Sequence, residues 1–113
     1  MNKYRDKSDF EINKAVFRAA RIKHKWFRFL PHGVVTYNIK GDWVIFDPCN
    51  NPAYAMPIII ENKICMNYID KDIGWGARHF DEEKGELEIY DKHYYRAAMI
   101  CFLIMKEAEN EKS

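Results

Sequence analysis

Residues 91–109 read DKHYYRAAMICFLIMKEAE, and residues 97–105 within this stretch are nine apolar residues in a row. Strands most often run to about 5–6 residues, so this run is too long for an ordinary one. Ala, Met and Leu are good helix formers, and Arg96, Lys106 and Glu107 frame the run with charge. The stretch therefore predicts a helix, with Asp91 capping its start and suiting the positive end of the helix dipole. A helix apolar around its whole middle needs cover on most sides. It is expected to be the core helix on which the rest of the chain packs.

The segments before it alternate instead. Residues 74–80 (GWGARHF) and 86–90 (ELEIY) predict a hairpin across residues 81–85, and the glycines flanking Trp75 predict a bulge or a close backbone approach. Residues 64–69 predict a further strand, closed by Asp70, Lys71 and Asp72. Residues 34–39 and 43–46 predict an earlier hairpin turned at Lys40, Gly41 and Asp42. Asn51 followed by Pro52 is a helix start, a cap and then proline at the first position. Residues 52–62 thus read as a helix in which Pro57 is a kink or a restart. The β-branched run Ile58, Ile59, Ile60 keeps a strand open as the alternative there. At the front, Ser8 and Glu11 form a capping box, and the helix that follows is expected to bury Ile12, Ala15, Val16 and Ala19. Its period is lost near His24, and Pro31, His32 and Gly33 are a break.

The order α-β-β-α-β-β-β-α argues for an α+β fold. The expectation is a single compact domain over residues 8–108, between flexible ends at 1–7 and 109–113. It would hold an antiparallel sheet of about five strands, an N-terminal helix, a central Pro-kinked helix and a buried C-terminal helix. A length of 113 residues fits one domain with its own core.

The net charge is +1, but it is polarised. Residues 1–40 carry ten Lys and Arg against three acids, and residues 41–113 carry eight against fourteen. A basic front and an acidic back can steer a polyanion or a charged partner to one face, or complement each other within the domain. Cys49, Cys65 and Cys101 are odd in number and form no CxxC pair, which excludes a disulfide framework and fits a reducing compartment. The start MNKYRDKSDF has no apolar signal region, and nine apolar residues fall short of the ~20 needed to span a bilayer, so no membrane role is expected.

Three stretches carry a family resemblance. They are residues 8–14 (SDFEINK), residues 47–62 (DPCNNPAYAMPIIIEN) and residues 96–103 (RAAMICFL). In this order they resemble the NinX family of small lambdoid-phage proteins, which are encoded among dispensable accessory genes. The sequence departs from the family pattern at Tyr54, where an aspartate is usual, at Met56, where a tryptophan is usual, and at Tyr94 and Tyr95, where the family has Pro-Leu. The resemblance implies a phage or prophage origin and action in the host bacterial cytoplasm. It brings no catalytic residue with it. It implies a non-catalytic accessory protein that binds a host or phage protein, with interference in a host defence system as a subclass reached by genomic analogy.

The residues offer several chemistries. Asp47, Cys49, Asn50, Asn51 and Pro52 form the most site-like stretch, able to line a pocket, but each also has a local role in a turn and a helix cap. Cys49 is the candidate nucleophile of a small cysteine enzyme, with His32, His79 or His93 as base, although no signature surrounds it. The scattered His and Cys lack metal-ligand spacing, and Gly74-Trp75-Gly76 lacks the spacing and lysine of a phosphate loop, so neither metal nor cofactor is expected. Lys14, Arg18, Arg21, Lys23, Lys25, Trp26 and Arg28 combine cations with aromatics, as a nucleic-acid-binding face does. No helix-turn-helix, RNP or zinc-finger signature accompanies them, and a solvated helix face followed by core aromatics is the plainer reading. Glu82, Glu83, Glu86 and Glu88 place acids on the second hairpin, where they can meet a basic groove of a partner protein or form an ordinary solvated turn. Trp26, Phe27, Phe29 and Leu30 are a candidate apolar patch, leaving monomer and homodimer both open.

Overall fold

The computed structural model describes residues 3–20, 27–30, 34–83 and 85–111. Within them lie α1 (Asp9–Ala19), β1 (Phe27–Leu30), β2 (Val34–Ile39), β3 (Asp42–Phe46), α2 (Pro52–Glu61), β4 (Cys65–Asp70), β5 (Gly74–Asp81), β6 (Gly85–Asp91) and α3 (Tyr94–Glu111). The α+β class holds, but there is no single five-stranded sheet. Two separate antiparallel sheets form, β1-β2-β3 and β4-β5-β6.

Between them lie the helices, with α3 at the centre of the core. From Ala97 to Leu103 every residue is buried, and Met105 is buried beyond them. Such a helix must be covered on opposite sides, whereas one sheet covers one side. Here β5 and β6 pack on one side of α3, and α1 and α2 pack against it as well. The first sheet lies beyond those helices, where Phe29, Tyr37 and Phe46 surround Phe17 of α1 and Tyr54 of α2 meets Tyr37 and Phe46 edge to face.

Local chemistry sets the element ends. The Ser8 side chain accepts from Glu11 N at the start of α1. The Asn51 side chain accepts from Ala53 N at 3.0 Å, and Pro52 begins α2, which runs as one helix with Pro57 inside it. Lys40 (φ 51°) and Gly41 (φ 94°) turn β2 into β3; two successive positive φ angles match the right-handed strand twist. At Gly74 (φ 95°) a Cβ would run into the backbone of Asp91 and Lys92, so the close approach expected beside Trp75 is real. A register shift between Tyr68 and Asp70 supplies a bulge opposite.

Three local expectations need correction. β1 was not expected, because its aromatics read as the fading of a helix; Arg28 and Phe29 instead alternate across a strand paired with Thr36 and Val35. α1 buries Asn13 and Phe17 with Ile12 and Val16, while Ala15 and Ala19 are only half-buried. Asp91 ends β6 and accepts from His93 N, one residue before α3 begins, so it stands outside the helix cap proper. Among the described residues no helix is long and apolar enough to cross a membrane.

Replacing Phe102, 2% exposed, by Ala should lower stability by about 3–5 kcal/mol in urea unfolding. Replacing the exposed Ile60 by Ala should change it by less than about 0.5 kcal/mol. Equal effects at the two positions would contradict the placement of the core.

Candidate functional site

The three stretches that carry the resemblance meet in one polar cluster. Asp9 and Asn13 come from α1, Asp47, Cys49 and Asn50 from the turn before α2, and Arg96 from the first turn of α3. The Asn13 amide donates to Asp47 Oδ1 at 2.8 Å, and Asn13 Oδ1 accepts from Cys49 N at 3.1 Å. The Asn50 amide donates to Asp9 Oδ2 at 3.1 Å and to both Asp47 oxygens. Arg96 Nη1 donates to Asp9 Oδ1 at 2.7 Å and Nε to Asp91 Oδ2 at 3.0 Å. Its Nη2 reaches the carbonyls of Tyr4, Arg5 and Lys7.

Arg96 and Asp91 are 11% and 14% exposed at their side chains. Burial disfavours the charge on Arg96, but its hydrogen bonds to Asp9 and Asp91 and their negative charges outweigh this and hold the guanidinium above its usual pKa. The same guanidinium ties the segment of residues 4–7 to the start of α3. At the far end of that helix, Lys3 pairs with Glu107 at 2.7 Å and the Tyr4 hydroxyl donates to it. Burial works against the Glu107 charge, but these two donors outweigh it and keep the carboxyl below its ordinary range.

The cluster is built to hold segments together, and the chemistry it offers is limited. Burial is the first cause pushing the Cys49 thiol far up, Asp9 adds to it, and Arg96 opposes it only in part. A thiol so placed stays protonated at neutral pH and is no thiolate nucleophile. Burial likewise pushes Cys101 up to about 12, while Cys65 is exposed. Among the described residues no group of three His, Cys, Asp or Glu is placed to hold a metal ion. Asp47 and Asn50, read from sequence as turn formers, prove to be partners of Asp9 and Asn13, and Asn51 and Pro52 act as the helix start. Sequence reasoning missed Asp9, Asn13, Asp91 and Arg96 as members of this cluster. The available signal was that three of the four lie within the stretches that carry the resemblance.

The acidic candidates lie elsewhere. Glu82 and Glu83 sit in the turn of the β5–β6 hairpin, where Glu83 N donates to Asp81 Oδ1 at 2.7 Å. Glu86 and Glu88 lie on the outer face of the second sheet, opposite Phe80 and Arg78 in register. Arg78 pairs with Glu86, its Nε at 2.6 Å. Beside them Phe80 is 70% exposed and Tyr90 46%.

The described basic candidates do not share one face. Lys14 lies over the rings of Phe10 and Phe29, and Arg18 over Phe29 at 5.1 Å. Arg28 lies over Trp43 at 4.3 Å, and strand alternation puts it on the sheet face opposite Phe29. Arg21, Lys23, Lys25 and Trp26 lie outside the described residues, as do His24 and His32.

A family model matching residues 3–106 makes the chain a phage protein. The family is described as bacteriophage P22, NinX, and the chain belongs to it. No curated protein and no solved structure matches the chain.

Two outcomes test the cluster. Arg96→Ala should destabilise the protein by about 3–5 kcal/mol, because it strands Asp91 and Asp9 without their cation, and Arg96→Lys should recover only part of this in urea unfolding. In the native protein at neutral pH, a maleimide should modify Cys65 alone, with Cys49 and Cys101 reacting only after unfolding. Native labelling of Cys49, read by peptide mass spectrometry, would contradict the protonated thiol.

Proposed function

We propose that this phage protein is a non-catalytic accessory protein that acts by binding a host or phage protein in the bacterial cytoplasm. The observation that carries the reading is the uncovered outer face of the second sheet. There Phe80 and Tyr90 stand among Arg78, Glu86 and Glu88, with Glu82 and Glu83 at the adjoining turn. Exposed aromatics beside an arginine are the composition that protein interfaces favour. The acids direct this face toward a basic surface, and complementary charge speeds and orients encounter. A host protein of a defence system is the partner class that the phage origin favours.

The nucleic-acid reading draws its support from Lys14 and Arg18 on α1. It is the weaker of the two, because each of the three described cations already rests on a ring of its own protein and Arg28 faces away from the others. The Cys49 enzyme reading loses its nucleophile to burial.

The test uses the tagged protein as bait in host lysate, with and without nuclease. A stoichiometric host protein should survive nuclease and be lost from E82Q/E83Q/E86Q/E88Q and from Phe80→Ser, with folding checked by circular dichroism. Loss of all bound material on nuclease treatment would instead bring forward Lys14 and Arg18. Capture unchanged by these substitutions would remove the outer face from the reading.

A further inference from the structure

Each sheet has two edge strands, β1 and β3 in the first and β4 and β6 in the second. An open edge presents a row of unpaired N–H and C=O groups, and proteins guard it with charges or bulges. β6 carries Glu86, Glu88 and Asp91, β1 carries Arg28, and the ladder of β4 shifts register between Tyr68 and Asp70. β3 has Asp42 at its first residue and no such guard along residues 43–46 (WVIF). It pairs with β2 on one side, and its other edge has no strand partner among the described residues. Val44 and Phe46 turn inward to the core, while Trp43 is 43% exposed and Ile45 59% on the outer face. Large exposed apolar side chains at alternate positions of an unguarded edge mark a strand that pairs further.

The hairpin fixes which backbone groups this edge offers. The turn at Lys40 and Gly41 closes on the Ile39–Asp42 pair. In an antiparallel ladder such a closing pair exchanges hydrogen bonds, and every second pair after it does the same. Asp42, Val44 and Phe46 therefore spend their N–H and C=O groups on β2, and those of Trp43 and Ile45 point away from it. An incoming strand must match this pattern, because directly opposed residues share one face of the sheet. A second β3, turned about a two-fold axis at Val44, matches it. Trp43 of each copy then stands opposite Ile45 of the other, on the outer face, and these are the residues whose backbone groups point outward. An aromatic against a β-branched residue is a favoured cross-strand pair. Asp42 falls opposite Phe46 at either end, so no like charges meet. Arg28 lies over the Trp43 ring at 4.3 Å and holds the indole on the outer face. The same operation on β6, about its middle residue Glu88, would set two glutamates against each other.

We infer that β3 pairs antiparallel with β3 of a second copy of this chain, about a two-fold axis at Val44, joining the two first sheets into one continuous sheet. The contact covers Trp43 and Ile45 of both copies. It does not use the second sheet, so it is independent of the protein-binding reading, and the dimer presents that outer face twice. Phe29, expected from sequence in an apolar patch, packs on Phe17 and takes no part in the contact. One short strand from each copy makes a small interface, so the dimer dissociates on dilution.

Sedimentation velocity on the full chain tests this. Monomer should convert to dimer as the concentration is raised from about 1 μM to about 500 μM. W43E/I45E and W43K/I45K, each checked for a native fold by circular dichroism, should stay monomeric across this range, because like charges then face each other twice. Mixed in equal amounts, the two variants should regain the dimer, since each Glu then meets a Lys. Val44→Cys in a Cys65→Ser chain serves if the charged variants do not fold. Residue 44 lies directly opposite its copy, with Cα atoms about 4.5 Å apart, so mild oxidation should give a covalent dimer that Cys65→Ser alone does not. A chain that stays monomeric throughout, a dimer that W43E/I45E leaves intact, a mixture that gains no dimer, or absence of the covalent dimer would overturn the inference.

Discussion

The guanidinium of Arg96 joins four parts of the chain. From the first turn of α3 it donates to Asp91 at the end of β6, to Asp9 on α1 and to the carbonyls of residues 4, 5 and 7. Through Asp9 it reaches Asn50, and through Asn50 and Asp47 it reaches Asn13. A cation so little exposed persists only where its donors are satisfied, because an unpaired buried charge costs several kcal/mol. The position of α3 relative to α1 and to the second sheet is therefore set by one group with strict directional needs.

The other constraint is the apolar circumference of α3. It is buried from Ala97 to Leu103 by the second sheet and by α1 and α2, and the first sheet packs on those two helices in turn. The division into two sheets leaves each sheet with an outer face that the core does not use. On the first sheet that face holds Trp43, Ile45 and Arg28; on the second it holds Phe80, Tyr90, Arg78 and two glutamates.

The polar residues of the stretches that carry the resemblance are occupied with one another, as Asp47 is with Asn13 and Asp9 with Arg96. Cys49, a candidate nucleophile without a surrounding signature in the sequence, is buried, and its backbone N donates to Asn13. Residues held this way keep the fold together.

Where the physics is local, the chain could be read directly. Ser8, Asn51 with Pro52, and Lys40 with Gly41 mark element ends through groups two or three residues apart, and each acts as its chemistry dictates. The buried character of residues 97–103 was equally plain, since no solvated helix is apolar on every side. Other features had no local signature. The Asp9–Arg96 pair spans 87 residues, and the burial of Asn13 and Phe17 in place of Ala15 and Ala19 depends on what packs against α1. The sequence by itself determined α1, the β2–β3 and β5–β6 hairpins and the identity of the core helix, because those follow from periodicity and turn chemistry within a few residues. Only the tertiary structure decided that the strands form two sheets and that Asp9, Asn50 and Arg96 meet, because both outcomes depend on which distant surfaces are brought together to cover α3.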